Sequence, residues 1–173
     1  MTEDEFKQKK DLYAFIGISL IHVQFAEKMF KDILLLVIQN DEFLDLEKMK
    51  KQNHFLERKT LGQLISVLKK RVDLDDDFEQ LLLEFIDDRN TLAHNLNRVE
   101  GYEIHTVDGR TSMNEFLSLL NARSQKIIKI LGALLYSWKE QVGFQFPEDE
   151  FAKSFIGEEY LAMTEKLFFR KEI

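Results

Sequence analysis

The chain contains no cysteine, which excludes disulfide bonds, a thiol nucleophile and every cysteine-ligated zinc site. One proline and seven glycines in 173 residues leave little to punctuate it, so long helices are the natural reading. Long apolar runs are also missing. The longest strictly apolar stretch is Ile33 to Ile38, far short of the roughly 20 residues that span a bilayer. Positive charge is in deficit, with 24 Lys and Arg against 31 Asp and Glu and a formal net charge of −7, which argues against a generic nucleic-acid coat protein. The opening residues Thr2, Glu3, Asp4 and Glu5 lack the basic start of a secretory signal. A soluble cytoplasmic protein with no membrane partner is expected. His-Glu-x-x-His, Glu-x-x-His, a glycine-rich phosphate loop and Gly-x-Ser-x-Gly are all absent from the sequence, so neither a metal nor a cofactor is expected.

What is present is a globular composition: 45% of residues are hydrophobic, 15 of them Phe, enough for a substantial core in one domain spanning 1–173. Residues 4–39 read as one long helix with Phe15, Ser19, His22, Ala26, Met29, Ile33 and Leu36 at helical spacing and a neighbouring stripe from Leu20 to Val37, the pattern of a helix buried on more than one side. Residues 40–59, with scattered Phe43, Leu44, Leu46 and Phe55, read as a long connection with room for a short helix. Thr60 and Gln63 form a capping box that opens a helix of about three turns, ending at Lys69, Lys70 and Arg71. A third helix starts near Asp76 and runs to about Asn97. Asp108-Gly109 is a favoured hairpin turn, so a small hairpin or ordered loop is expected near 100–112. Ser112 and Glu115 then form another capping box for a long helix over 113–141, stopped by Gly143. Pro147, followed by Glu148, Asp149 and Glu150, opens a last helix with Ala152, Ile156, Tyr160, Met163 and Leu167 inward. The expected fold is all-α, a four- to five-helix up-down bundle.

The third helix carries the unusual chemistry. Phe78, Leu82, Phe85, Arg89, Leu92 and Leu96 share one face, so Arg89 lies inside an apolar stripe, where an unpaired charge is costly. Asp87, Asn90, His94 and Asn97 form a polar stripe beside it. Asp87 and His94 share that face about 10 Å apart along the axis, too far for one metal or a direct hydrogen bond. Arg89 and His94 are five residues apart, so their Cβ directions differ by roughly 140°, and one regular helix does not place both on one small target. Asn90 and His94 are within reach of each other at i and i+4. The pair is suited to phosphodiester chemistry: an imidazole serves as acid or base near neutral pH, and a guanidinium holds phosphate oxygens as charge develops on them. RNA supplies its own nucleophile in the 2′-hydroxyl. His22 reads first as a satisfied core histidine, with lining the same cleft as the sharper reading. Glu27 interrupts its apolar stripe and is a candidate partner for Arg89.

The "RNTLAH" of residues 89–94 resembles the signature of the HEPN superfamily: Arg, usually a polar residue next, and His after a four-to-six-residue gap, late in an apolar helix of a four- or five-helix bundle. The "TLGQLI" helix followed by "FEQLLLEFIDDRNTLAHNL" is similar to that family over about 40 residues as pattern and most of the chain as architecture. The resemblance implies a metal-independent endoribonuclease that acts as a homodimer, two Arg–His motifs meeting across the two-fold axis, in a toxin or antiviral role with a protein antitoxin or regulator as a further partner. It implies that Arg89 contacts the scissile phosphate, that His94 acts as acid or base, and that Asn90 supports them. In one toxin branch a Tyr sits two residues after the His; here that position is Leu96, so control by modification of that Tyr is not expected. Some members have lost catalysis, which leaves a non-catalytic module binding a protein or nucleotide partner as the alternative. The basic stretch 48–71, with Lys69, Lys70 and Arg71, together with Arg123, Lys126 and Lys129, is either solvated surface or a rim that guides RNA.

Overall fold

The computed structural model describes residues 2–39, 45–143 and 156–170. Six α-helices lie within those residues. Helix α1 (Glu3–Leu36) opens on a capping box, the Thr2 side chain accepting from the Glu5 amide at 3.2 Å and the Glu5 carboxylate from the Thr2 amide at 2.8 Å. Helix α2 (Leu46–Glu57) is capped by Asp45, which accepts from the Lys48 amide. The expected Thr60–Gln63 box opens α3 (Leu61–Arg71), as reciprocal bonds of 3.4 and 3.1 Å. After the short strand β1 (Val72–Leu74), Asp75 caps α4 (Asp76–His94), and a 3-10 turn follows over Leu96–Arg98. Helix α5 spans Val107–Val142, α6 spans Glu158–Leu167, and strand β2 is Phe168–Arg170.

The chain runs up and down. Helix α2 folds back along α1, with Gln52 donating to the Leu34 carbonyl and Lys31 pairing with Glu57. Helix α3 returns to the top of α1, where Arg71 donates from Nη1 to the Leu34 and Ile38 carbonyls, both at 2.6 Å. The Leu34 carbonyl is among the orphans of the α1 C-terminus and Ile38 lies just past it; α1 has no basic residue in its own last turn, so Arg71 supplies the favourable charge from another helix. Helix α4 descends until Arg89 meets Glu27. The turns at 99–106 then carry the chain to the lower half of α1, where Lys9 approaches His105. Helix α5 therefore ascends parallel to α1, Gln8 facing Arg110 and Ser19 facing Asn121, an offset of 102 residues at both levels. Higher up, Gly132 lies against Met29 and Ile156. Phe30, Phe85, Leu82, Leu120 and Leu131 fill the centre without solvent exposure. The expected all-α bundle is the fold observed.

Of the hairpin or ordered loop expected near 100–112, the loop is what is found, as hydrogen-bonded turns over 99–106, and α5 begins six residues before the expected 113. Thr106 is the N-cap, accepting from the Gly109 amide at 3.0 Å, and the Ser112–Glu115 box is not used. Asp108-Gly109 lies in the first helical turn. A Cβ at Gly109 would sit 2.2 Å from the Glu103 carbonyl oxygen, so this glycine serves close backbone approach, not a hairpin turn. Helix α4 stops at His94 because Asn95 leaves helical backbone, with φ −140° and ψ 42°. Gly143 ends α5 as expected, at φ 71°. Phe43, Leu44, Pro147, Glu148, Asp149, Glu150 and Ala152 lie outside the described residues. Within α6 and its approach, Ile156 and Leu167 are buried as expected, and Tyr160 and Met163 pack against the core. Sequence reading missed the two-stranded antiparallel pairing that follows, Val72 opposite Arg170 and Leu74 opposite Phe168. Phe78 meets Phe168 edge-to-face at 5.3 Å beside it.

Candidate functional site

Arg89 lies on the flank of the buried face of α4, between Phe85 and Leu92. Its Nε donates to Glu27 Oε1 at 2.7 Å, both side chains being 23% exposed. This answers the question of a charge on an apolar stripe: the counter-ion comes from the break in the stripe of α1. Nη1 also donates to Asn90 Oδ1 at 3.2 Å. Of the five guanidinium N–H groups, two are thus engaged, and the outer edge carries no bond to a described residue. The pairing through Nε fixes the plane of the guanidinium while leaving both terminal nitrogens able to take an oxyanion.

His94 is the last residue of α4 and is exposed. Asn90 is half-buried and turns its carbonyl to Arg89; among the described residues no hydrogen bond joins it to His94. The three residues are therefore one anchored pair, Arg89 with Asn90, and one exposed imidazole just over a turn further along.

The basic residues separate into two groups. Arg123 bridges Glu84, at 2.7 Å from Nη2, and Asp88, from Nη1. Burial holds the Asp88 carboxyl above the ordinary aspartate value against the pull of Arg123, whereas the Gln80 amide, and then the Arg123 charge, hold Glu84 below the usual glutamate value. Lys69 pairs with Glu79, and Arg71 closes the end of α1. Lys70 and Lys126 are exposed. Of the five, Arg123, Lys69 and Arg71 thus do structural work within the bundle.

Sequence reading did not single out Asn121. It is 7% exposed and links α1 to α5: its amide nitrogen donates to Ser19 Oγ at 2.7 Å and to the Leu117 carbonyl at 2.9 Å, and its oxygen lies 2.7 Å from His22 Nδ1. Ser19 Oγ donates to the Phe15 carbonyl, so it must accept from Asn121. This fixes the amide orientation, and His22 carries a proton on Nδ1. The satisfied-core reading of His22 matches this bonding. Among the described residues, no three His, Asp or Glu side chains are grouped as a metal site, and no helix is long and apolar enough to cross a membrane. No family model matches the chain, and neither a curated protein nor a solved structure does so.

Proposed function

We propose that the chain is a metal-independent endoribonuclease of the HEPN type, acting as a homodimer in which the Arg89–His94 segments of two copies form one cleft. The observation that carries this reading is the arrangement on α4: a guanidinium fixed through Nε by Glu27, with both terminal nitrogens available, and an exposed imidazole five residues on. In the proposed step one His94 removes the proton of the ribose 2′-hydroxyl, and the 2′-oxygen attacks the adjacent phosphorus. Arg89 holds the non-bridging oxygens as charge accumulates. The second copy's imidazole protonates the departing 5′-oxygen, giving a cyclic phosphate and a free 5′-hydroxyl. Lys70 and Lys126 are the exposed cations assigned to the RNA path, and a protein antitoxin fits a toxin or antiviral role.

The test is cleavage of a single-stranded RNA in the presence of EDTA. His94→Ala should lose roughly 10²- to 10⁴-fold in rate with an unchanged unfolding midpoint, since the side chain is exposed; undiminished cleavage by this variant would sink the proposal. The ion pair to Glu27 favours one other reading, a non-catalytic helical module binding a protein or nucleotide, in which Arg89 serves the core alone. That reading requires wild-type protein to leave every RNA intact and Arg89→Ala to lower stability with no activity to lose.

A further inference from the structure

Between the lower halves of α1 and α5 lies a cleft of about 510 Å³, lined by Gln8, Asp11, Leu12, Phe15, Arg110 and Asn114 with Val107 and Thr111 at its side. This volume is of the size that takes a small organic molecule. Its most unusual wall is Arg110, which is only 4% exposed. Nε and Nη2 donate to Gln8 Oε1 at 3.2 and 2.9 Å, and Nη1 donates to the Ile104 carbonyl at 3.3 Å. Both acceptors are neutral. Among the described residues no ion pair joins Arg110 to any carboxylate, although a guanidinium out of water ordinarily has one. Three of its five N–H groups are used, leaving one on each terminal nitrogen for an oxyanion. Arg110 also lies in the first turn of α5, where the helix dipole favours an anion.

The rest of the cleft selects what carries the carboxylate. Asp11 is exposed and makes no ion pair among the described residues, so a second negative charge on the ligand is disfavoured and an ammonium group is favoured. Phe15 offers apolar surface beside it, Leu12 being almost fully buried, and Val107, 65% exposed, extends that surface outward. One buried cation whose hydrogen-bond acceptors are both neutral, with Glu5 near enough to feel its charge, one exposed anion outside any ion pair among the described residues, and an apolar wall around a single cavity complement a zwitterion with an apolar side chain. We propose that this cleft binds a free apolar α-amino acid, its carboxylate on Arg110, its ammonium toward Asp11 and its side chain against Phe15 and Val107. The site is separate from Arg89 and His94, and it stands whether or not the chain cuts RNA.

The experiment is a titration of the full chain, isotopically labelled for NMR, with L-leucine, with isocaproate, which lacks the ammonium, and with isoamylamine, which lacks the carboxylate. Leucine should give saturable shifts at Thr111, Asn114 and Asp11, with half-saturation at about millimolar concentration. Isocaproate should bind roughly tenfold more weakly and isoamylamine not at all, a tenfold step being the loss of one modest charged contact. Arg110→Lys should weaken leucine at least as much. Asp11→Asn, a change at an exposed position that leaves the fold intact, should make leucine and isocaproate equal. The proposal is overturned if leucine gives no saturable shifts, if isoamylamine or isocaproate binds as well as leucine to the wild type, or if the shifts fall outside the cleft.

Discussion

Removing Glu27 isolates what holds Arg89 in place. In Glu27→Ala the guanidinium loses a charged acceptor at 2.7 Å and stays flanked by Phe85 and Leu92. Fully exposed pairs are worth about 0.2–1 kcal/mol, while breaking a fully buried one costs about 3–5 kcal/mol. With both side chains 23% exposed, the expected loss is about 2 kcal/mol, which in a chain of this length lowers the midpoint of thermal unfolding by about 4–8 °C. Glu27→Gln keeps a neutral acceptor for Nε and should lose about half as much. The decisive assay is a double-mutant cycle with Arg89→Ala, followed by urea unfolding and far-ultraviolet circular dichroism. The Arg89→Ala arm absorbs the separate loss of the Asn90 bond, so the coupling energy reports the pair itself. A coupling of about 1–2 kcal/mol is expected. A value below about 0.5 kcal/mol, the scatter of independent sites, would refute the claim that Glu27 fixes the guanidinium.

Three further outcomes follow from the same geometry. Gly109→Ala should cost about 1–3 kcal/mol or more, as a methyl 2.2 Å from the Glu103 carbonyl forces the 99–106 turns away from α5; an unchanged urea midpoint would count against this packing. Asn121→Ala leaves Ser19 and His22 short of a partner and opens a small void, so about 2–4 kcal/mol should be lost; a loss under about 1 kcal/mol would show that the network contributes little. Asp88 gives a pH dependence of defined sign. Burial raises its folded pKa, so between the unfolded value of about 3.9 and the folded one the native state binds more protons, and this group's contribution to stability falls as pH rises. The stability of wild type relative to Asp88→Asn should therefore decline with pH from about 3.9 upward and then level off. A flat or rising difference between the two urea midpoints would contradict the burial.

The parts of the fold legible in the sequence are those set by neighbours within a few residues. The Thr60–Gln63 box, the stop at Gly143 and the apolar stripe through Arg89 are of this kind. Glu27 was also visible as a candidate partner, because a carboxylate that breaks one apolar stripe and an arginine that breaks another can satisfy each other. The errors came where a distant group overrides a local signal. Asp108-Gly109 is a hairpin turn only in isolation; Thr106 as the cap and the Glu103 backbone against Gly109 draw both residues into a helix. Three residues short and far apart in the chain, β1 and β2 have no local pattern strong enough to announce their pairing. Arg71, Lys69 and Arg123 look like one basic surface in the sequence, but their acceptors lie on other helices or further along the chain. The Arg89–His94 segment was legible as chemistry, and its cross-helix anchor as a possibility. The Arg110 cleft was not, because it depends on two segments 102 residues apart meeting in register.

That separation has a consequence for how the chain is made. Among the described residues, the face of α1 that carries Ser19, His22 and Met29 meets Asn121 and Gly132 of α5, about 100 residues later. Closing so long a loop adds little to the entropic cost of folding, since each doubling of length costs only about 0.6 kcal/mol, but it sets an order of events. At a synthesis rate of roughly 5–20 residues per second, that face waits roughly 5–20 s on the ribosome for the helix that covers it. Helices α2 and α3 are on hand earlier and cover another side of α1. A half-made chain carrying only α1 to α3 leaves that flank of α1 uncovered, the kind of exposed apolar surface that favours aggregation and capture by chaperones.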